Sequence, residues 1–362
     1  MYGAIIFIRN KLFDWHVFRS VAYQFPVISI GNITVGGTGK TPHVEYLVQL
    51  LSEHFHVATL SRGYKRKTKG WRLAEVDSSA DEVGDEPLQI KRKYPQAIVA
   101  VDANRQRGIS HLRELQPSPE VIILDDAFQH RKVSPSLSLL LVDYQRPIDT
   151  DHMLPWGQLR EQAYEKRRAG VIIVTKCPKK LEPIEQRIFI KELNPYPYQK
   201  VFFTTYSYAD LVPVCPRVKK SLPRKYIKNL AREKSVGIVL VTGIANPQPM
   251  VEFIDNKMGG KITHLAFPDH HHFSKRDFLR IRKSYDTLDT EAKFVITTEK
   301  DAMRLYKFCN IAGSFSEAMY YLPIRVKFLD KSDEKFNKQL IDYVRENKVH
   351  SFLHPRQSRG NS

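Results

Sequence analysis

The 362-residue chain is poor in cysteine, with only Cys177, Cys215 and Cys309. These are spaced too widely for a CxxC metal knuckle and are odd in number for a disulfide framework, which points to a reducing, cytosolic compartment. Long hydrophobic runs are also missing. No apolar stretch approaches the roughly 18 residues that a membrane-spanning helix needs, and the N-terminus lacks the small-residue cleavage site of a signal peptide. There is no internal repeat. No helix-turn-helix, zinc-finger or RNA-recognition signature is present, so no nucleic-acid partner is expected. Acidic residues are the last deficit: 39 Asp plus Glu stand against 57 Lys plus Arg, a formal charge of +18. Nucleic acid, a phosphorylated metabolite, the anionic leaflet of a membrane or a merely solvated basic surface would each account for this balance on charge alone.

The composition is 42% hydrophobic and 27% charged, ordinary globular usage, and the length suggests two domains. From Phe25 onward, short β-rich apolar runs alternate with helical stretches, the pattern of βα units around a parallel sheet. Strands are predicted at Val27–Ile30, Val57–Leu60, Ala97–Val101, Val121–Leu124, Leu137–Val142 and Val171–Val174, with helices at Pro42–Leu51 and Arg105–Leu115. A smaller α/β group follows, with strands Ile238–Thr242, Ile262–Phe267 and Phe294–Thr298 and helices near Gln248–Asn256 and Lys275–Leu288. Pro195–Arg224, rich in Pro, Tyr and Lys, reads as the connection between domains. At the N-terminus, Ile5, Ile6, Phe7, Ile8, Leu12, Phe13, Trp15 and Phe18 mix with Arg9, Lys11 and Arg19 in a helix-like, amphipathic stretch. Such a helix either rests among lipid headgroups or packs on the protein body.

The sharpest motif is Val27-Ile-Ser-Ile-Gly-Asn-Ile-Thr-Val-Gly-Gly-Thr-Gly-Lys-Thr-Pro42, a strand entering a glycine-rich turn and then a helix. It reads as a phosphate-binding loop: Gly36, Gly37, Thr38 and Gly39 turn backbone N–H groups towards phosphate, Lys40 reaches the β/γ-phosphates, and the Thr41 hydroxyl suits Mg²⁺. Thr34 occupies the position where the strict GxxxxGK[ST] pattern has glycine. The segment Val121-Ile-Ile-Leu-Asp-Asp126 ends an apolar strand on two carboxylates, Asp125 and Asp126, either as a strand that holds Mg²⁺ beside a phosphate loop or as an Asp-Asp turn with no ligand. Asp85, after Gly84 at a helix start, is either a general base for an attacking alcohol or simply an acid that suits a helix N-terminus. The stretch from Ser61 to Lys69 places five basic residues around Tyr64, as an anion clamp or a solvated loop. His270, His271 and His272 follow the strand ending at Phe267, and three consecutive histidines cannot all face one metal ion.

Together these segments resemble the tetraacyldisaccharide 4'-kinases, the LpxK family. The resemblance runs through Gly31-Asn32, Val35-Gly-Gly-Thr-Gly-Lys-Thr-Pro42, Ser61-Arg-Gly-Tyr64, Gly84-Asp-Glu-Pro87 and Asp125-Asp-Ala-Phe-Gln-His130. It continues through Leu154-Pro155, Leu159-Arg-Glu161, Val174-Thr-Lys176, Thr242-Gly-Ile-Ala-Asn-Pro247, Phe267-Pro-Asp-His270 and Thr298-Glu-Lys-Asp301. It implies a kinase that moves the γ-phosphate of ATP, with Mg²⁺, to the 4'-hydroxyl of a tetraacyldisaccharide 1-phosphate, giving lipid IVA for lipopolysaccharide. It further implies a monomer acting peripherally at the cytoplasmic face of the bacterial inner membrane. The implied architecture is a P-loop kinase domain, residues 1–203 with 322–362, and a smaller Rossmann-like domain, residues 204–321, joined by a two-stranded linker. The implied base is Asp85, with His270 as its partner, while Asp125, Asp126 and Glu161 join Thr41 near the metal. Arg62, Tyr64 and Arg105 fall on the substrate side. The chain departs from the family pattern at Ala127, where glycine is usual, and at Leu154-Pro-Trp-Gly157, where Leu-Pro-Ala-Gly is usual. A P-loop regulatory switch or metallochaperone-type NTPase is the alternative from another class.

Overall fold

The computed structural model describes residues 2–218 and 221–353. It divides into two compact units, residues 1–206 with 326–362, and residues 207–325. Both are α/β.

The first unit is built on a nine-stranded sheet. From one edge to the other the strands are Ile324–Phe328, Lys200–Tyr208, Val171–Thr175, Leu137–Asp143, Val27–Gly31, Val121–Asp125, Val57–Ser61, Ile98–Val101 and Arg72–Leu73. The pairings from Lys200–Tyr208 to Ile98–Val101 are parallel, and Arg72–Leu73 closes that edge antiparallel. A parallel sheet is covered on both faces, which is why Val27–Gly31, Val57–Ser61, Val121–Asp125 and Val171–Thr175 are buried at every residue and read as unbroken apolar runs. Strand order reverses at Val27–Gly31: the chain moves to one side through Val57 and Val121, then to the other through Leu137 and Val171. Ligands of open parallel sheets gather outside the carboxyl ends at such a reversal. The sequence placed six of the nine strands within a residue of their ends, and the extra C-terminal residues Gly31, Ser61, Asp125, Asp143 and Thr175 reach this rim, whereas Lys200–Tyr208 pairs into the sheet from within the stretch read as the inter-domain connection.

The N-terminal helix, Tyr2–Asp14, packs on this unit through buried Asn10 and Phe13. Arg131 and Arg167 clamp Asp14 at its last turn, at 2.7 and 2.6 Å. Burial works to raise the Asp14 pKa, but the two guanidinium groups outweigh it and hold the carboxyl below its usual range. At the other end of the unit's sequence, the helix Asp333–Leu353 brings Phe336 against Phe202 and Phe328, and Asn337 accepts a hydrogen bond from Tyr46 Oη at 2.8 Å.

The second unit holds a five-stranded sheet in the order Val212–Pro213, Met319–Leu322, Ala292–Thr298, Val236–Thr242 and Lys261–Ala266, parallel except for the short first strand. One correction concerns cysteine. Cys215 and Cys309 are bonded as a disulfide across 94 residues of sequence, inside an apolar cluster with Phe273, Phe278 and Phe315. Their wide spacing along the chain carried no information about the fold, which brings the two Cα atoms to 5.5 Å, within disulfide reach. The cysteine count therefore no longer argues for a reducing compartment. Cys177 is buried and free, and burial pushes its thiol up to about 12, into an unreactive range.

Candidate active site

The glycine-rich turn leaves the central strand at Gly31 and enters the helix Lys40–Ser52. The helix is preceded by Gly39 at φ +85°, and no side chain caps it, so its first N–H groups remain available to an anion. Glycine is required at position 39 on two grounds. The backbone is left-handed there, and a Cβ would sit 1.5 Å from the Tyr206 hydroxyl. Thr38 is tied down from behind by Thr175, whose hydroxyl donates to the Thr38 carbonyl at 2.9 Å. His43, one turn into the helix, donates from Nδ1 to the Gly39 carbonyl at 2.8 Å, and its Nε2 lies 3.1 Å from Thr204 Oγ1. Burial drives its pKa to about 4, so it is a neutral strut of the loop and carries no charge to the phosphates.

Lys40 extends from this helix start to Asn32 Oδ1 at 3.3 Å and to Asp126 at 3.6 Å. Arg160 joins the same group, 3.1 Å from Asp126 Oδ1 and in contact with Asn32 Oδ1. Asp125 and Asp126 thus arrive beside the phosphate loop on the neighbouring strand end, and the two carboxylates behave differently. Burial, then the nearby charges of Glu86 and Asp126, lifts the Asp125 pKa to about 7, and its Oδ1 is buried without a hydrogen-bond partner. For Asp126, burial is outweighed by Lys40 and Arg160, and the carboxyl stays below its usual range. An orphaned, buried carboxylate oxygen beside a lysine-anchored phosphate loop is what a divalent cation would satisfy, with the Thr41 hydroxyl on the first helical turn as a second oxygen donor. Among the described residues no group of three or more His, Cys, Asp or Glu side chains is arranged to hold a metal. Mg²⁺ does not require one, since it keeps waters and takes phosphate oxygens with only one or two carboxylates.

Asp85 is the first residue of the helix Asp85–Lys93, after Gly84. Its neighbour Glu86 is close enough to Asp125 to raise that pKa, which places the helix start at the nucleotide end of the sheet. Arg62 and Tyr64 are exposed on the loop after Val57–Ser61, and the charge of Arg62 acts on both Arg105 and His130. Two of the five basic residues in that loop are already engaged: Lys67 pairs with Asp81 at 2.6 Å, and Arg66 donates to the Gly70 carbonyl at 2.5 Å.

Two of the expected site residues are buried in the protein's own contacts. Glu161 is fully buried, with Oε1 accepting from Arg9 at 2.9 Å and Asn10 at 3.0 Å, and Oε2 from Arg168 at 2.5 Å and Gln129 at 3.3 Å. Both oxygens are engaged by cations and amides, and through them this carboxylate anchors the N-terminal helix. Arg105 is also buried, its terminal nitrogens spent on the carbonyls of Asp102 at 2.6 Å and Asp125 at 3.3 Å. Burial pulls its pKa down to about 10, and it braces the carboxylate-bearing strand end where a substrate-facing group was expected.

In the second unit, His270 sits at φ +59°, with its N–H bonded to the Gly243 carbonyl at 3.1 Å. Arg304 Nη2 lies 3.0 Å from His270 Nδ1, and Asp301 pairs with Arg304 at 3.0 Å while accepting from Gly243 N–H at 2.7 Å. Arg304 has no place in the sequence motifs. Its only signal is its position three residues after Asp301 on one helix. His271 serves the local architecture, pairing at 3.0 Å with Asp277, which also accepts from Ser274 in a helix-capping box.

The family model for tetraacyldisaccharide-1-P 4'-kinase matches residues 1–345. The chain belongs to the tetraacyldisaccharide 4'-kinase family. It is 46% identical over 360 residues, 99% of its length and 94% of the relative's, to the tetraacyldisaccharide 4'-kinase of Bacteroides thetaiotaomicron. The enzyme of the same name from Porphyromonas gingivalis is 40% identical over 354 residues, 96% of each chain. Among solved structures, LpxK from Aquifex aeolicus in complex with ATP aligns at a TM-score of 0.72 and 30% identity, covering 95% of this chain and 96% of that one. The protein is a kinase, and the alternative of a regulatory NTPase switch is set aside.

Proposed function

We propose that this kinase transfers the γ-phosphate of ATP to the 4'-hydroxyl of a tetraacyldisaccharide 1-phosphate, yielding lipid IVA, while docked peripherally on the cytoplasmic face of the inner membrane. The observation that carries the chemistry is the meeting of Lys40 with Asp126 at 3.6 Å beside the unpartnered Asp125 oxygen, at the mouth of an uncapped helix. Phosphoryl transfer needs positioning and charge neutralisation more than covalent help. The loop Gly36–Thr41 and the helix start bind the phosphates, and Lys40 offsets charge that builds on the oxygens in flight. Mg²⁺, when bound, would be held by Asp125 and Thr41 and would neutralise the phosphate oxygens. Asp85 takes the proton from the attacking hydroxyl as the new O–P bond forms and the bond to the β-phosphate breaks, releasing ADP. By the family resemblance, His270, held by Arg304 in the second unit, is the partner of this base. Arg62 and Tyr64 remain the substrate-side candidates.

Docking is supported by the N-terminal helix. Its inner face is buried at Asn10 and Phe13, while Ile5, Ile8 and Trp15 are more than half exposed alongside Lys11 and Arg19. No helix among the described residues is long and apolar enough to cross a membrane.

The deciding assay offers γ-labelled ATP, Mg²⁺ and tetraacyldisaccharide 1-phosphate in detergent micelles. Label is expected in the lipid, with turnover reduced about 10²- to 10⁴-fold in Asp85→Ala and lowered in His270→Ala, ATP binding being retained in both. Phosphate release that is indifferent to the lipid would overturn the reading, and loss of ATP affinity in either variant would remove that residue's role.

A further inference from the structure

Trp156 is one of three tryptophans in the chain and, at 87% exposed, the most exposed large hydrophobic side chain among the described residues. An indole left in water on a mobile tail would need no explanation, but this one is presented by a loop that is held tightly. The N–H groups of Trp156 and Gly157 both donate to the Met153 carbonyl at 3.2 Å, Leu159 N–H donates to His152 O at 2.9 Å, and Leu154 N–H to Leu159 O at 3.1 Å. Asp151 Oδ1 gathers the N–H groups of His152 at 2.7 Å and Gln158 at 3.1 Å. A Cβ at position 157 would fall 2.2 Å from the His152 carbonyl, so the turn demands glycine beside the tryptophan. The fold therefore holds a large apolar side chain outward and packs nothing of its own against it.

The loop has two neighbours. Its Met153 side chain lies against Gly3 of the N-terminal helix, and Tyr2 Oη donates to the Arg160 carbonyl at 3.1 Å, so the helix start and the loop form one continuous piece of surface. On its other side it is stitched to the phosphate-binding segment: Val35 N–H donates to Gln158 O at 2.7 Å, Arg160 N–H donates to Ile33 O at 2.7 Å, and Thr34 bridges Leu159. Cations flank this surface in sequence, with Lys11 and Arg19 on the helix side and Arg146, bonded to Gln158, within the loop.

We propose that Trp156 is a second anchor for the interfacial zone of an anionic bilayer, acting with the N-terminal helix to set the phosphate loop at a fixed distance from the lipid headgroups. The inference rests on the docking reading above and adds to it a residue and an orientation. An indole prefers the headgroup level, where its ring is sheltered and its N–H stays wet. The flanking cations match an anionic leaflet. The helix alone would fix the protein to the surface and leave rotation about its axis open. A second contact on a rigid loop removes that freedom and keeps the phosphate-binding segment facing the plane in which a lipid-borne hydroxyl is found.

The test uses the full chain with Trp15→Phe and Trp71→Phe, leaving Trp156 as the sole indole, and vesicles of phosphatidylethanolamine and phosphatidylglycerol carrying brominated acyl chains. Co-sedimentation with a blue shift and bromine quenching of Trp156 emission is the expected result. In an otherwise native chain, Trp156→Ser is expected to weaken vesicle partitioning by roughly tenfold, as loss of part of an indole's buried area implies, with ATP binding unchanged. This second variant keeps the test decisive should the Trp71 replacement disturb folding. Chains that sediment with unmoved Trp156 emission, or that partition equally after Trp156→Ser, would overturn the anchor and leave the helix docking intact. Failure of the native chain to sediment at all would remove both. An emission shift that follows protein concentration without vesicles would assign the indole to a contact between copies instead.

Discussion

His43 shows how a side chain within the phosphate loop's own helix serves the loop without touching charge. Its ordinary pKa is near 6.5 and burial lowers it to about 4, so the folded chain keeps it neutral while the unfolded chain takes up a proton below pH 6.5. The unfolded state therefore gains as pH falls, and stability is lost between about pH 6.5 and 4, by up to about 3 kcal/mol at one pH unit per 1.4 kcal/mol. Melting followed across that window should show a shallower pH dependence in His43→Gln than in the native chain. An unchanged slope would mean that His43 takes up its proton at the same pH in the folded and unfolded chains. The residues of the site separate by how local their chemistry is. Lys40, Thr41 and Asp126 were legible because a glycine-rich turn after a strand and an acid pair at a strand end are short-range patterns. Glu161 and Arg105 were not, because nothing near either residue in sequence reveals that Arg9, Asn10 and Arg168 surround the first or that carbonyls of Asp102 and Asp125 consume the second.

At the scale of elements, the strands were readable because a parallel sheet buried on both faces leaves continuous apolar runs, and helices such as Gln248–Met258 followed from periodicity. The short pieces escaped: Val212–Pro213, Arg72–Leu73 and Val21–Ala22 are two residues long and exist only because a neighbouring strand offers an edge. The N-terminal helix is held by a buried polar cluster rather than by apolar contact alone, and that arrangement has a measurable cost when broken. Glu161→Leu removes the shared partner of Arg9, Asn10 and Arg168 and should destabilise the first unit by about 3–5 kcal/mol, as loss of one member of a buried ion pair does. Denaturant midpoints would read this directly, and a loss under about 1 kcal/mol, the level of an exposed pair, would show that the cluster is not effectively buried.

At the scale of the whole molecule, the fold class and the family follow from ordered motifs spread along the sequence, whereas the Cys215–Cys309 bond belongs to tertiary proximity alone. The Phe202, Phe328 and Phe336 cluster joins residues far apart in sequence across the first unit's sheet edge. Phe336→Ala should cost about 3–5 kcal/mol, since it empties a nearly inaccessible aromatic site. A change of less than about 1 kcal/mol in chemical denaturation would show that the helix Asp333–Leu353 contributes little to that sheet.

The interruption of the first unit by residues 207–325 bears on how the protein is made. Synthesis runs from the N-terminus, so the ribosome releases the phosphate loop, the acid pair and eight strands of the large sheet before the ninth, Ile324–Phe328, has been translated. Until then, Lys200–Tyr208 is an exposed sheet edge carrying Phe202 and Phe203, and the inserted unit is synthesised in the meantime. Released chains ending at residue 325 should therefore hold a protease-resistant second unit beside a first unit that is still open to cleavage and to chaperones. The nucleotide-binding half, begun first, is completed last.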